Sequence, residues 1–274
     1  MEIVQLIIME YLQQKVSEAT QNLTDPIVIG HDVEGNEIKR NMTIKNAALN
    51  GSSGNATSTE SITFSGSAGE YDNSILNGKN ETLKVTGAGR EIKGSVINAY
   101  GTAVLFDGIN AELTLSGSVV NGGIDETNKI AVSGSGEGDT LILQSEEIEY
   151  ADGSKGVHNT VINGAIEMGM GDDTLAVGTG SIINGKIDMG AGEDILTIAD
   201  KGIINGDIDM GEGEDTLTIE TGSIINGTLD GGVGNDTLNF NSPVTRASNS
   251  GEINILHNIS GFENMNINTN VTLF

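Results

Sequence analysis

Polar and apolar residues alternate with period two through short stretches of this chain, and the stretches return at a fixed step. In Asp215-Thr216-Leu217-Thr218-Ile219 every second side chain is apolar, the pattern of a strand with one face buried. A second short apolar run, Ser223-Ile224-Ile225, follows between Gly222 and Gly227, and a third segment, Asp207-Ile208-Asp209-Met210, precedes each glycine pair. Helical spacing is absent here, and Gly, Thr and Ile are poor choices for a helix interior. From Met168 the chain reads MGMGDDTLAVGTGSIINGKID, MGAGEDILTIADKGIINGDID, MGEGEDTLTIETGSIINGTLD and GGVGNDTLNF, with Met168, Met189 and Met210 each 21 residues apart. Three short strands and glycine-bearing corners in each repeat predict a three-sided coil. Stacked coils of about 21 residues predict an all-β fold, a right-handed parallel β-helix solenoid.

Stacking fixes which residues meet. Leu175, Leu196, Leu217 and Leu238 are expected to form one inward column, and Val177, Ile198, Ile219 and Phe240 another. Ile166, Ile187, Ile208 and Leu229 form a third, with the methionines beside it. Asn163, Asn184, Asn205 and Asn226 fall at the corner after the second strand, where stacked amides can bond to one another and serve as scaffold. The phrase returns upstream in weaker form, as Ser74-Ile75-Leu76-Asn77, Ser95-Val96-Ile97-Asn98 and Ser118-Val119-Val120-Asn121. Between Asn121 and Asn163 the spacing doubles, and residues 144–156 read as an excursion from the coil, the kind of loop that carries specificity in solenoids.

The ends read differently. Val4, Ile8, Leu12, Val16, Ala19 and Leu23 keep helical spacing up to Asp25-Pro26, which predicts a capping α-helix over residues 1–26. The β-helix is expected over 27–274, irregular at first and most regular at 160–240. The last residues alternate again and stop mid-pattern, as a fragment would. The apolar run 3–9 is too short to span a membrane and has no basic flank or cleavage site, so no export signal and no membrane insertion are expected in this stretch.

Composition narrows the function. The net charge of −26 disfavours nucleic acid and anionic membranes and leaves cations or a basic partner surface. There is no cysteine, so thiolate metal sites and disulfides are excluded. With 39 glycines and 3% aromatic residues, the chain suits a thin rod of tight turns better than a broad core.

Gly231-Gly232-Val233-Gly234-Asn235-Asp236-Thr237-Leu238 resembles the GGxGxDxL nonapeptide of RTX calcium-binding repeats. The full phrase, with DTLTI, GSIINGxID and the later Ser260-Gly261-Phe262-Glu263-Asn264, is similar to the passenger region of type V autotransporter proteins over roughly residues 70–270. That resemblance implies secretion across two membranes, a β-helical stalk at the bacterial surface, and adhesion or aggregation. A host-cell, bacterial or glycan receptor is then the expected partner, with the chain itself a monomer. The family's export signal and membrane barrel are not read in this sequence.

One constellation has possible chemistry. Asp173, Asp194, Asp215 and Asp236 recur every 21 residues, each behind a Gly-x-Gly turn such as Gly232/Gly234. Stacked carboxylates about 4.8 Å apart repel, and a calcium ion held by them and by glycine-turn carbonyls would relieve this. The RTX resemblance implies the same ion, although true RTX coils carry the nonapeptide on both sides. The alternative is that these aspartates cap tight turns by accepting backbone N–H bonds.

Other readings rank lower. A polysaccharide lyase or hydrolase needs unlike groups converging, yet residues 160–240 hold 15 acidic residues against Lys186 and Lys201 alone. His31, His158 and His257 lack metal-ligand spacing. The outward Thr216 and Thr218 suggest an ice-binding plane, but neighbouring coils carry Thr174/Ala176 and Ile195/Thr197 instead. A non-catalytic exported module is the expectation.

Overall fold

A computed structural model of the chain describes residues 81–123, 129–149, 153–241 and 258–269, together with the strands at 21–22, 27–31, 37–40, 42–45, 48–50, 62–64, 69–72, 75–78, 253–255 and 271–273. Among the described residues the strands form three parallel sheets of ten, and in each sheet spatial order follows chain order. The chain visits the three sheets in turn and repeats, which is a parallel β-helix.

The first face contains Glu112–Ser116, Thr140–Gln144, Thr174–Val177, Ile195–Ile198, Thr216–Glu220, Thr237–Asn241 and Asn264–Ile267. The second contains Val119–Asn121, Val161–Asn163, Ile182–Asn184, Ile203–Ile204 and Ile224–Ile225. The third contains Ala165–Glu167, Ile187–Asp188, Ile208–Asp209 and Leu229–Asp230. Register follows the 21-residue step: Leu175 pairs with Leu196, Leu196 with Leu217 and Leu217 with Leu238. Ile166, Ile187, Ile208 and Leu229 are matched in the same way. Alternation sends these residues inward, and every member of those columns is at most 1% exposed. Met168, Met189 and Met210 are buried beside them. Phe106 and Phe240 are the bulkiest fully buried side chains, so the core is a narrow aliphatic cylinder.

The excursion after Gln144 is a β-hairpin. Glu146–Glu149 pairs antiparallel with Lys155–His158, outside the three sheets, and Val161–Asn163 then rejoins the second face beside Val119–Asn121. The hairpin's base crosses Gly117, where a Cβ would press on Glu146 and His158. A second antiparallel pair joins Ile27–His31 to Glu37–Arg40. The helix expected over 1–26 lies outside the described residues as far as residue 20. Residues 23–26 lie outside them as well, and between the two stretches Gln21–Asn22 is a short strand parallel to Ile62–Thr63.

Candidate functional site

The turn from the third face to the first is where the repeated acids lie, and its backbone is fixed by glycine. Gly169, Gly190 and Gly211 have φ near +100°, a conformation that side chains with a Cβ avoid. A Cβ on Gly190 or Gly211 would also collide with the carbonyl of the glycine one coil earlier. Without side chains there, successive turns stack closely enough to bond. The N–H groups of Ala191, Glu212 and Val233 donate to the carbonyls of Gly169, Gly190 and Gly211 at 2.9, 2.8 and 2.7 Å. In the other direction Gly171, Gly192 and Gly213 donate to the carbonyls of Ala191, Glu212 and Val233 at 2.8–2.9 Å.

These turns deliver Asp173, Asp194, Asp215 and Asp236 into one column, each at most 1% exposed. Each carboxylate is tied to the coil before it: the N–H of Asp173 donates to Asp194 Oδ1 at 2.7 Å, that of Asp194 to Asp215 at 2.8 Å, and that of Asp215 to Asp236 at 2.9 Å. Asp139 extends the column upstream, its N–H donating to Asp173 Oδ1 at 2.6 Å while its own Oδ2 accepts from Ser135 N–H. Glu263 closes it downstream by accepting from Asp236 N–H at 2.9 Å. The second oxygens, Oδ2 of Asp173, Asp194, Asp215 and Asp236, are buried without a hydrogen-bond donor.

Burial is the main influence on these acids. Desolvation pushes Asp173 up to about 8, Asp194 to about 7 and Asp215 to about 6, opposed by the single N–H bond and reinforced by neighbouring carboxylates. Asp139 and Asp236 are raised for the same first reason.

The ladder already uses part of the donor set expected for calcium. The carbonyls of Gly169, Gly190 and Gly211, and one oxygen of each aspartate, already accept N–H bonds of the coil-to-coil ladder. Gly232 and Gly234 stack on the carbonyls of Gly211 and Gly213. Among the described residues no group of three or more His, Asp or Glu side chains gathers where a metal could sit. The column is built as the alternative reading described, with carboxylates capping backbone N–H groups, but across coils and not within one turn.

The asparagines form a second ladder, on the outside. Asn121, Asn163, Asn184, Asn205 and Asn226 each donate from Nδ2 to Oδ1 of the asparagine one coil earlier, beginning at Asn98, every bond 2.7 Å long. Asn184, Asn205 and Asn226 are exposed, so this ladder stitches a surface edge and relieves no buried group. On the third face Glu167, Asp188, Asp209 and Asp230 stand in register. Lys186 spans two of them, 2.8 Å from Asp188 and 3.2 Å from Asp209.

Two sets of residues escaped the sequence reading. Asp139 was signalled by Asp139-Thr140-Leu141, but the preceding glycines are displaced by one position, which hid the turn. The column of hydroxyls at the entry to the second face, Ser118, Thr160 and Ser223 among them, bonds inward carbonyls: Thr160 Oγ1 donates to Leu115 O at 3.0 Å and Ser223 Oγ to Ala199 O at 3.0 Å. Among the described residues no helix is long and apolar enough to cross a membrane. Comparison with protein-family models, with curated proteins and with solved structures found no match.

Proposed function

We propose that this chain is a non-catalytic module of an exported bacterial surface protein, acting as an adhesin or as the stalk that carries one. The observation that supports this reading most is the sameness of the coils. From Thr174–Val177 to Thr237–Asn241 each coil repeats the same glycine turn and the same inward columns as the last, and the polar ladders are spent on joining coils. Repetition of this kind suits a stiff spacer, whereas catalysis needs unlike groups brought to one point. The resemblance to autotransporter passengers supports export and surface display.

The hairpin Glu146–Glu149/Lys155–His158 is an element that departs from the coil, and its Val157 is 60% exposed. It is the place where an adhesin would make specific contact. The test is binding of the purified chain to host cells, partner bacteria and a glycan array, beside a variant in which residues 147–157 are replaced by Asn-Gly. Adhesion predicts binding that the variant loses; a stalk predicts no binding by either. Appearance of unsaturated products from acidic polysaccharides, read by ultraviolet absorbance, would overturn the non-catalytic reading.

A further inference from the structure

Five asparagines of the outer ladder stand directly before glycine: Asn121-Gly122, Asn163-Gly164, Asn184-Gly185, Asn205-Gly206 and Asn226-Gly227. This dipeptide is the least hindered setting for loss of a side-chain amide, because no Cβ shields the glycine nitrogen as it approaches the asparagine Cγ. Since all five share it, their intrinsic reactivity is the same and the fold alone tells them apart.

Two features of the ladder do so. The first is the glycine nitrogen. Gly122 N–H donates to Asn163 O at 3.1 Å and Gly164 N–H to Asn184 O at 3.2 Å, whereas among the described residues the N–H groups of Gly185, Gly206 and Gly227 find no such acceptor. Asn121 and Asn163 are also half-buried, while Asn184, Asn205 and Asn226 are exposed. The second is the number of bonds that hold each amide. Asn184 and Asn205 each donate to the amide one coil earlier and accept from the one after. Asn226 donates to Asn205 at 2.7 Å, but its own Oδ1 accepts from no described residue. The ladder stops there within the chain: Asn254 and Ile255 pair with Ile224 and Ile225, and the next residue is Leu256, which has no amide.

We propose that Asn226, Asn205 and Asn184 are sites of spontaneous deamidation that open in order, beginning at Asn226. Gly227 N attacks Asn226 Cγ, and the new N–C bond closes a succinimide. The Cγ–Nδ2 bond breaks, and the nitrogen leaves as ammonia with the proton of Gly227. Water then opens the ring to aspartate or isoaspartate, so solvent is the only other reactant. For Cγ to turn toward its glycine the amide must leave the stack, which breaks one ladder bond at Asn226 and two at Asn205 or Asn184. Once position 226 is a carboxylate it cannot donate, and Asn205 is held by a single bond as Asn226 was. Release therefore passes rung by rung toward Asn163, where the engaged nitrogen of Gly164 halts it. Each event adds a negative charge to the surface and removes one coil-to-coil bond. Isoaspartate also inserts a methylene into the main chain where Gly227 stacks closely on the Gly206 carbonyl.

The test is incubation of the intact chain at pH 8, with deamidation at each site followed by mass spectrometry of its proteolytic peptides. Asn226 is expected to react first, Asn205 and Asn184 to lag, and Asn121 and Asn163 to stay amidated. In denaturant the five are expected to converge on one rate. Asn226→Asp is expected to speed loss at Asn205 by about fivefold, the factor for one net hydrogen bond, with an unchanged circular dichroism spectrum and no effect at Asn163. The order in the unaltered chain is read independently of that variant. Equal rates at the five sites of the folded rod, an Asn226 that stays intact, or a folded Asn226→Asp variant with Asn205 no faster would each overturn the proposal.

Discussion

At the scale of single residues the chain invests buried carboxylates where most folds use neutral groups. Each aspartate in the column receives one N–H and leaves one oxygen without a donor. The consequence is a dependence on pH of unusual sign. The folded-state values of Asp173, Asp194 and Asp215, about 8, 7 and 6, lie above the ordinary 3.8, so the folded rod binds more protons than the unfolded chain between these limits. The favourable contribution is complete below the unfolded value and is lost as pH rises through the folded ones. Melting temperature is therefore expected to fall from pH 4 to pH 8, most steeply at about pH 5–6, where all three acids are protonated in the folded rod and ionised in the unfolded chain. Asp194→Asn keeps an acceptor oxygen but cannot ionise. It is expected to raise stability at pH 8 by on the order of 2–3 kcal/mol and to change it little at pH 4, as followed by denaturant titration. Since the ladder ties one oxygen of each aspartate and the turn carbonyls into N–H bonds, a chelator is expected to leave the melting temperature unchanged, and a rise of several degrees on adding calcium would contradict the assignment of these acids. Gly211→Ala is expected to destabilise by more than about 2 kcal/mol, because a Cβ there meets both a positive φ and the Gly190 carbonyl.

The aspartates' positions in the column were legible from their spacing, but their partners were not. A step of 21 says that Asp194 lies over Asp173, but whether the carboxylates face a cation or an N–H depends on turn geometry that glycine leaves open. Asp139 shows the same limit, since a one-residue shift of the flanking glycines preserves the column while breaking the motif.

At the scale of elements the strands are too short to be stable alone, and pairing along the rod supplies what length does not. Leu217 sits in the middle of its column, in register with Leu196 below and Leu238 above, and is fully buried. Leu217→Ala is expected to cost roughly 2–5 kcal/mol. Asn205→Ala breaks two amide bonds of an exposed ladder and is expected to cost no more than about 1–2 kcal/mol. Urea denaturation of both variants checks the ranking, and a larger loss at Asn205 would mean that the surface ladder, not the core column, governs the stacking. The inward columns were readable because alternation and repeat agree on every coil. The excursion was readable as a departure, but not as a hairpin, because Glu146–Glu149 and Lys155–His158 lack the regular apolar alternation that marks the coil strands.

At the scale of the whole molecule the protein is a set of nearest-neighbour contacts extended in one direction. Every coil beyond the first repeats the same three pairings, so the rod has no long-range fold to specify beyond the step. The 21-residue register therefore underlies the acid column and the amide ladder together. Nitroxide labels on Asn184→Cys and Asn205→Cys test it most directly, since both sites are exposed and the chain has no other thiol. If the two residues stand one above the other about 4.8 Å apart, the doubly labelled protein gives an electron paramagnetic resonance spectrum collapsed by dipolar and exchange coupling. Three resolved lines equal to the sum of the singly labelled spectra would contradict the stacked-coil account.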